Sequence, residues 1–281
     1  MSFEPTNFAE LLALEPHGPD TFVGASPPYE WGRIYGGQVI AQALWAAMET
    51  VPAGFAVHSL HVYFILGGRL DEPVRFEVDR TRNGRSFTTR QVVARQSYGA
   101  ILSLQASFQR DEHEADVQTV KAPHVRGPEH VEDVGWGWML ERRQIPAEDG
   151  TGRVFTWLRV DPSVGDDPRR QACALAFASD TSTVTSARAV HPRGGGTRDE
   201  QRERFMGASL DHAIWFHRPT RADEWFLVDM SSQGLRGGRG LALGYIFDAA
   251  GAHVATIAQE ALLRERRSSG DGPMGDISGT E

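Results

Sequence analysis

The sequence predicts an α+β fold of two repeats, each with one helix wrapped by a curved antiparallel β-sheet. Both halves show the same order: a short strand, a loop rich in proline or glycine, a helix and then long strands. The spacings agree as well, since Gln38 follows Phe22 by 16 residues and Gln171 follows Phe155 by 16. Both helices are rich in alanine, which lets a sheet approach closely. Two such repeats can join edge to edge into one long sheet.

The first repeat is predicted to span residues 1–115. It opens with a helix over 5–16 that Thr6 or Asn7 caps. Apolar residues at helical spacing predict a second helix over 36–51, which Pro52 ends. The remaining elements are strands at 21–25, 57–64, 74–82, 87–96 and 100–109, with a tight turn at Asn83-Gly84.

Residues 116–137 show no periodicity and are predicted to be a linker, and the second repeat is predicted at 138–264. Its elements are a strand at 153–160, a helix at 168–180, and strands at 208–216, 224–230, 240–248 and 252–264. Between helix and strand it carries an insertion, 187–205, that the first repeat lacks. The polar, Gly/Ser-rich residues 265–281 are predicted to be a disordered tail.

Composition excludes several classes of function. A net charge of −8 and a pI of about 5.7 leave no electrostatic footprint for nucleic acid. The single cysteine, Cys173, excludes an intrachain disulfide and a cysteine-based zinc cluster, and suits a reducing compartment. No apolar run is long enough to cross a bilayer, and the first residues lack the pattern of a signal peptide. We therefore expect a cytoplasmic protein without membrane insertion.

Alignment of the two repeats singles out three polar side chains of the second repeat. The aligned pairs are Ala47 with Asp180, Ser59 with Ser209, and Gln105 with Gln259. The hydroxyl and the amide occur in both repeats, whereas the carboxylate occurs once. This asymmetry predicts one working site per chain, in the second repeat.

Asp180 is the sharpest candidate for chemistry. Helical spacing places it on the inner face, where a charge is costly, and near the helix C-terminus, where the macrodipole disfavours anions. A structural alternative is that it caps a turn in the following TSTVTS. Ser209 and Gln259 are unremarkable strand residues when taken singly. With Asp180 they form a set in which an acid takes a proton from water while a hydroxyl and an amide orient it.

Other familiar centres are missing from the sequence. The residues around Ser209 read GASLD, which is not the GxSxG nucleophile elbow, and no HExxH, P-loop or zinc spacing occurs. Neither a metal nor a cofactor is therefore expected. Other candidates for substrate contact are histidines in strands, for which a structural role is the default, and arginines that suit phosphates: His58, His61, His212, His217, Arg85, Arg90, Arg218 and Arg239.

Seven segments carry a resemblance to a known family. They are YGGQVIAQAL (35–44), VHSLHVYFILGG (57–68), NGRSFTTRQVVARQ (83–96), SLQASFQ (103–109), AFASD (176–180), SLDHAIWFHRP (209–219) and VATIAQEALLR (254–264). Over about 15–264 the chain resembles the type II acyl-CoA thioesterases, the TesB-like family. The resemblance implies a double hotdog fold and the hydrolysis of acyl-CoA to free fatty acid and CoA.

The resemblance also implies roles for particular residues. Asp180, Ser209 and Gln259 would activate the attacking water, with serine where relatives commonly have threonine. Apart from the resemblance, we expect backbone amides at a helix N-terminus, near Gly36-Gly37, to stabilise the oxyanion. The expected contacts with the substrate come from Gly36, Gly37, His58, Arg85 and Arg90. We expect a homo-oligomer, a dimer of double hotdogs.

Two other functions remain open at this point. One is a non-catalytic module that binds acyl-CoA. The other is a hotdog enoyl-CoA hydratase or dehydratase, which would need a histidine and an aspartate beside the substrate carbonyl.

Overall fold

A computed structural model describes residues 3–135, 137, 139–145, 152–161 and 164–266. The predicted tail therefore lies outside the described residues except for its first two. In the first repeat the elements are α1 (Phe8–Leu11), β1 (Glu15–Pro16), β2 (Thr21–Gly24), α2 (Gly36–Glu49), β3 (Phe55–Phe64), β4 (Val74–Asn83), β5 (Phe87–Gln96) and β6 (Gly99–Arg110).

The second repeat has the same order with additional helices. Its elements are β7 (Leu140–Ile145), β8 (Arg153–Val160), α3 (Pro168–Ser179), α4 (Thr183–Ala189), α5 (Arg198–Arg204), β9 (Phe205–Ser209), β10 (Asp211–Phe216), β11 (Phe226–Arg236), β12 (Arg239–Asp248) and β13 (His253–Glu265). The insertion predicted at 187–205 thus includes the end of α4 and all of α5.

Within the described residues, thirteen strands form one antiparallel sheet, which confirms the predicted edge-to-edge joining. The order is β1-β2-β4-β5-β6-β3-β10-β13-β12-β11-β8-β7, and β9 pairs with β13. The two repeats meet where β3 pairs with β10, with Val62 opposite His212. This pair lies at the centre of an approximate twofold relation between the repeats.

Helices α2 and α3 pack against each other on the inner side of this sheet, and their ends define two junctions. At one end, the start of α2 meets the end of α3, because the Tyr35 hydroxyl donates to the Phe177 carbonyl over 2.8 Å. At the other end, Arg169 near the start of α3 forms an ion pair with Glu49 at the end of α2. Alanines on both helices are buried at this contact, which fits the close packing expected from the sequence.

The segment between the repeats lies against the second repeat. Residues 111–127 contain no helix or strand, and a single 3₁₀ turn follows at Pro128–His130. Asp116 forms an ion pair with Arg218, and the Gln118 side chain accepts from the His253 amide. The lack of periodicity in the sequence fits a segment held by side chains rather than by regular structure.

The N-terminal helix is shorter than predicted. It covers only Phe8–Leu11, capped by Asn7, whose side chain accepts from the Glu10 amide over 3.0 Å. The chain then becomes extended and pairs Glu15 with Val23. The helix predicted over 5–16 is wrong at its C-terminal end, since the residue before a proline disfavours helical backbone and β2 offers a ladder instead.

A β-bulge lies at different places in the two repeats. In the first repeat, Val57 pairs with Phe108 and Ser59 with Ser107, so His58 is the extra residue. In the second, Ala213 pairs with Ala258 and Ser209 with Ala261, so the extra residue lies between Ser209 and Ala213 and divides the predicted strand 208–216 into β9 and β10. A bulge changes which face later residues occupy. Ser209 therefore shares the inner face with buried Ala261, while Ser59 shares the outer face with Ser107.

The alignment of Gln105 with Gln259 is wrong by one residue. Val62, the counterpart of His212, pairs with Leu104, whereas His212 contacts Gln259. The counterpart of Gln259 is therefore the buried Leu104, and Gln105 is exposed on the outer face. Since side chains alternate along a strand, one step in alignment exchanges the faces.

Candidate active site

The Asp180 carboxylate stands at the junction between the end of α3 and the start of α2. Its Oδ1 accepts from the Ser209 hydroxyl over 3.1 Å and from the Gln259 amide nitrogen over 2.8 Å. The Gly37 backbone amide also donates to this carboxylate. Asp180 follows the last residue of α3 and does not cap α4, whose N-cap is Ser182. The sequence alternative of a capping role is therefore not what the structure shows.

The strands β9 and β13 bring Ser209 and Gln259 together beside the acid. The Gln259 amide nitrogen donates to Ser209 Oγ over 2.6 Å as well as to Asp180. The Gln259 oxygen accepts from the Thr183 hydroxyl over 2.8 Å and lies 2.7 Å from His212 Nδ1. The three residues singled out in the sequence thus form one connected cluster.

The two glycines at the start of α2 leave room for the acid. A Cβ on Gly36 would lie 2.6 Å from Asp180 Oδ2 and 2.8 Å from the Phe64 ring. A Cβ on Gly37 would lie 2.2 Å from the Phe177 carbonyl oxygen. All three distances are shorter than contact allows. A side chain at 37 would meet backbone, so that position requires glycine, whereas a side chain at 36 would displace Asp180 or Phe64. The N-cap residue Tyr35 makes no side-chain hydrogen bond to the first turn of α2, and the positive end of the helix faces the Asp180 carboxylate.

Burial sets the charge states of the cluster. It raises the pKa of Asp180 to about 6, against the lowering effect of hydrogen bonds from Gln259, Ser209 and Gly37 and of the Arg33 charge. At neutral pH the carboxylate is therefore ionised, and it is a stronger base than an ordinary aspartate. Burial lowers the pKa of His212 to about 4, so that its imidazole is neutral.

A cavity of about 740 Å³ opens beside this cluster and has two unlike halves. One half is apolar and comes from the first repeat. It is lined by Ile34, Val39, Phe64, Ile65, Leu66, Ile101 and Leu102. The other half comes from the second repeat and is more polar. It is lined by Arg142, Gln144 and Thr185 and by Arg188, Gln201 and Arg202 of the insertion, beside the apolar Val134, Val184 and Leu210. Arg33 and Gly36 also line the cavity, and Asp180 and Ser209 are part of its wall.

Three of the residues expected to bind substrate lie elsewhere. Arg90 is fully buried, and its guanidinium donates to Thr50 at the C-terminal end of α2. Exposed Arg85 lies near the same end, and His58 contacts Ser107 and Phe87 there. Since a helix of 14 residues is about 20 Å long, this end is far from Asp180. None of the three lines the cavity, and for Arg90 a role in binding is contradicted because its donors are used inside the core.

The structure adds residues that the sequence did not single out for these roles. Thr183 and Ser179 join the hydrogen-bond network around Gln259. His212 was one histidine among several, and its position beside the glutamine depends on the register of β10 against β13. The arginines beside the cavity are Arg33, Arg142, Arg188 and Arg202, and not Arg85 and Arg90. A signal for Arg188 and Arg202 exists in the sequence, namely their place in the insertion that only the second repeat carries.

The described residues hold no group of three or more histidine, cysteine, aspartate or glutamate side chains that could bind a metal ion. Among them there is also no helix of sufficient length and hydrophobicity to span a membrane.

Family models match both halves of the chain. The model for the acyl-CoA thioesterase N-terminal domain matches residues 25–109, and the model for the acyl-CoA thioesterase C-terminal domain matches residues 110–263. The boundary between the two matches falls at the end of β6.

Individual relatives and solved structures agree with these matches. The chain is 32% identical to acyl-CoA thioesterase 2 of Haemophilus influenzae, over 92% of this chain and 97% of that protein. It is 31% identical to human acyl-coenzyme A thioesterase 8, over 90% of this chain and 88% of that protein. The crystal structure of an acyl-CoA thioesterase II, TesB2, from Mycobacterium marinum superposes with a TM-score of 0.80 at 37% identity, covering 95% of this chain and 99% of that one. A hot dog fold protein from Alicyclobacillus acidocaldarius, at 20% identity and a TM-score of 0.71, supports the double hotdog fold.

Proposed function

The chain belongs to the acyl-CoA thioesterase family, and from this membership we propose that it hydrolyses acyl-CoA with a water molecule activated by Asp180, Ser209 and Gln259. The enzyme is a thioester hydrolase. One observation carries the assignment of residues: Ser209 and Gln259 both hold Oδ1 of Asp180, while Oδ2 lies next to Gly36 at the cavity wall. Among the described residues no side chain donates to Oδ2, so this is the carboxylate oxygen placed to accept a proton from water.

The reaction follows from this geometry. A water bound at Asp180 Oδ2 attacks the thioester carbonyl carbon as its proton passes to the carboxylate. The resulting tetrahedral intermediate carries its negative charge on the former carbonyl oxygen. When the intermediate collapses, the C–S bond breaks and the proton on Asp180 passes to the departing sulfur. The products are a free carboxylic acid and CoA, and no covalent acyl-enzyme forms.

The start of α2 is suited to stabilise the oxyanion. Amides at a helix N-terminus point outward and carry partial positive charge. In the resting structure the Gly37 amide already donates to Asp180, so the Gly36 amide is the better candidate for the oxyanion. Gly36 lines the cavity directly, which supports this division between the two glycines.

The two halves of the cavity support one orientation of the substrate. The acyl chain enters the apolar half built by α2, β3 and β6, because burying methylene groups there is favourable. The pantetheine and phosphates of CoA then extend towards the polar half, where Arg33, Arg188 and Arg202 provide positive charge. The insertion of the second repeat would thus recognise the CoA part.

The surroundings of His212 argue against a hydratase or dehydratase. That chemistry requires a histidine that reaches the substrate, whereas His212 is 1% exposed and lies behind Gln259. Both of its ring nitrogens are within hydrogen-bond distance of protein atoms. The complete set of acid, hydroxyl and amide likewise favours a catalyst over a module that only binds acyl-CoA.

Assay of thiol release from acyl-CoAs of increasing chain length tests the proposal. We expect hydrolysis of at least one chain-length class, with no burst of acyl-enzyme in rapid-mixing experiments. A trapped ester on Ser209 would replace water activation by nucleophilic catalysis. Tight binding of acyl-CoA without hydrolysis would instead support the binding module.

A second measurement tests the orientation of the substrate. Arg202→Ala should raise KM for an acyl-CoA and leave KM for the matching acyl-N-acetylcysteamine unchanged, because the small thioester lacks the phosphates. Arg85→Ala is the matched control, an exposed arginine at the far end of α2. An equal rise of KM for both substrates would contradict a phosphate contact.

The dimer of double hotdogs and the cytoplasmic location remain predictions. Tyr63 and Trp215 are large exposed side chains on the outer face of the sheet, close to the junction of the repeats. Such a surface would suit contact with a second copy, and light scattering of the purified protein tests it.

A further inference from the structure

A buried histidine and serine stand behind the catalytic glutamine. His212 Nδ1 lies 2.7 Å from Gln259 Oε1, and His212 Nε2 lies 2.8 Å from Ser179 Oγ. Both His212 and Ser179 are 1% exposed, so neither can contact substrate. We propose that Ser179 and His212 are positioning residues that hold the Gln259 side chain with its amide nitrogen, and not its oxygen, towards Asp180. This inference rests on the proposed function and deepens it.

The orientation of the Gln259 amide follows from what surrounds it. An ionised carboxylate only accepts hydrogen bonds, so the group that faces Asp180 must be the amide NH₂. Its two protons then serve Asp180 and Ser209, at 2.8 and 2.6 Å. A flipped amide would set its oxygen against the carboxylate and deprive Ser209 of a donor. The active arrangement therefore needs donors at the other end of the amide, where the oxygen lies.

His212 supplies such a donor only in one of its neutral forms. Its Nδ1 must carry the proton, because a bare Nδ1 would place two lone pairs 2.7 Å apart in a buried site. Burial keeps the ring neutral, so it carries a single proton and Nε2 is an acceptor. The residue facing Nε2 must therefore donate, and that residue is Ser179.

Ser179 has one hydroxyl proton and two nearby acceptors. One is His212 Nε2 at 2.8 Å, and the other is the Ala176 carbonyl oxygen at 2.9 Å. If the proton went to Ala176, the His212 proton would have to move to Nε2 and the contact with Gln259 would become repulsive. Only one set of donors is therefore consistent: Ser179 donates to His212, and His212 donates to the Gln259 oxygen. The Gln259 nitrogen in turn donates to Asp180 and Ser209.

The first repeat shows that the fold itself does not need these polar groups. The counterparts of Ser179, His212 and Gln259 are Ala46, Val62 and Leu104, all of them buried. They follow from the alignment of Gln38 with Gln171 and from the pairing of β3 with β10 and β6. Burying polar groups is costly where apolar ones suffice. The chain of donors occurs only in the repeat that holds the acid.

Substitutions of His212 test the proposal by their effect on kcat. His212→Val introduces the residue that the first repeat carries. It should lower kcat about 10- to 100-fold with little change in KM, because a misplacement of about 1 Å at the reacting centre can cost about 100-fold in rate. His212→Asn places an amide nitrogen near the position of Nδ1, so it should restore part of the lost kcat. Equal kcat for wild type and the valine variant, or for the valine and asparagine variants, would overturn the proposal.

Ser179→Ala should also lower kcat, by a smaller factor. Without the Ser179 hydroxyl, nothing at Nε2 fixes the tautomer, and the His212 proton can occupy either ring nitrogen. Ser186→Ala is the matched control, because it removes another buried serine hydroxyl that donates only to a backbone carbonyl, that of Gly152. We expect the control to keep wild-type kcat. If the serine at 179 behaves like the serine at 186, the chain of donors has no function.

The position of the proton gives an independent readout in case His212→Val fails to fold. Nitrogen-15 NMR of the wild-type protein distinguishes a protonated from a bare imidazole nitrogen. We expect the proton of His212 on Nδ1, and a proton on Nε2 would overturn the inference. Asp180→Asn distinguishes failure of the proposed function from failure of the positioning role. If that variant keeps full activity, the proposed function fails; if it loses activity while His212 and Ser179 variants keep it, only the positioning role fails.

Discussion

Helices α2 and α3 meet at two junctions, and only one of them, the active junction, holds the acid, hydroxyl and amide of the proposed site. At the active junction, Gly36 begins α2 and leaves room for Asp180 at the end of α3. At the opposite junction, the aligned counterparts are Arg169 and Ala47. There the Arg169 guanidinium packs over the Trp45 ring and forms an ion pair with Glu49. The same backbone arrangement is open to substrate at one end and closed by side chains at the other.

The strands around the inactive junction also lack the polar side chains that the strands around the active junction carry. Leu104 takes the place of Gln259, and the shifted bulge turns Ser59 to the outer face while Ser209 faces inward. The inactive junction therefore lacks the acid, the amide and an inward hydroxyl together. The two repeats share the strand order and the contact between the helices, whereas the proposed catalytic side chains occur in only one of them.

The helix C-termini are also covered in different ways. Arg90 pairs with Ala106 in the first repeat, and Gly240 pairs with Ala261 at the corresponding place in the second. The buried Arg90 guanidinium satisfies groups of Thr50 at the end of α2, while a Cβ on Gly240 would lie 2.7 Å from Ala187 of α4. A buried arginine occupies this place in the first repeat, and the end of α4 occupies it in the second. Arg90 is therefore a structural residue.

The largest expected effect comes from removing the charge of Asp180, since the aligned residue at the inactive junction is the uncharged Ala47. Asp180→Asn should lower kcat about 10²–10⁴-fold, because an amide cannot accept the proton of water. Circular dichroism should show an unchanged fold. Hydrolysis with normal kinetics in this variant would remove Asp180 from the mechanism.

The two glutamines allow a paired experiment. Gln259→Leu, which copies Leu104, should lower kcat about 10²–10³-fold, as loss of an amide donor at a reacting centre typically does. Gln105→Ala should leave turnover unchanged, since Gln105 is exposed on the outer face. Both are measured on the same acyl-CoA. Equal losses at the two positions would overturn the assignment of one site per chain.

The two serines form a similar pair. Ser209→Ala should lower kcat about 10- to 100-fold, the range for a hydrogen bond to a charged group. Ser209→Thr keeps the hydroxyl and should be tolerated or improved, and Ser59→Ala should have little effect. If the alanine and threonine variants at 209 behave alike, the hydroxyl has no part in catalysis.

The acid limb of the pH profile reports the charge of Asp180. Its pKa is raised to about 6, so kcat/KM should fall about tenfold for each pH unit below that value. The contribution of Asp180 to folding stability changes with pH in the opposite direction to kcat/KM. A carboxyl with a pKa raised from 3.8 in the folded state stabilises the protein only when protonated, and this contribution is lost as pH rises through about 6.

Asp180→Asn should therefore melt at a higher temperature than wild type at pH 8, with a smaller difference near pH 4. Calorimetry at both pH values measures it. A profile without a limb near pH 6, or a difference in melting temperature independent of pH, would contradict the raised pKa of Asp180.

The smallest expected effect concerns the space at the start of α2. Gly36→Ala adds a methyl group that would lie 2.6 Å from Asp180 Oδ2, so the carboxylate or Phe64 must move. We expect a loss of kcat of about tenfold, as a small misplacement of a reacting group costs at most two orders of magnitude. Gly238→Ala would be a poor control because its φ is +75°. Ala47→Ser at the inactive junction is better suited and should leave kcat unchanged.

The sequence by itself determined the two-repeat fold and singled out Asp180, Ser209 and Gln259, the three residues of the proposed catalytic cluster. Helices and strands are encoded by local periodicity, so α2, α3 and most strands were found within a few residues. Asp180 was conspicuous because a charge on an inner helical face near the C-terminus has little structural reason to be there. The resemblance of the motifs then gave the family, which the comparisons confirm.

Only the tertiary structure decided which polar residues meet. The positions of the β-bulges set which face Ser59 and Ser209 occupy, and a bulge is a feature of paired strands that one strand alone does not specify. The same holds for Arg90, which looked like a ligand for phosphate and is buried against the end of a helix. His212 joins Gln259 through the register between β10 and β13. Distances between strands arise from pairing across the chain, and they were therefore beyond local sequence patterns.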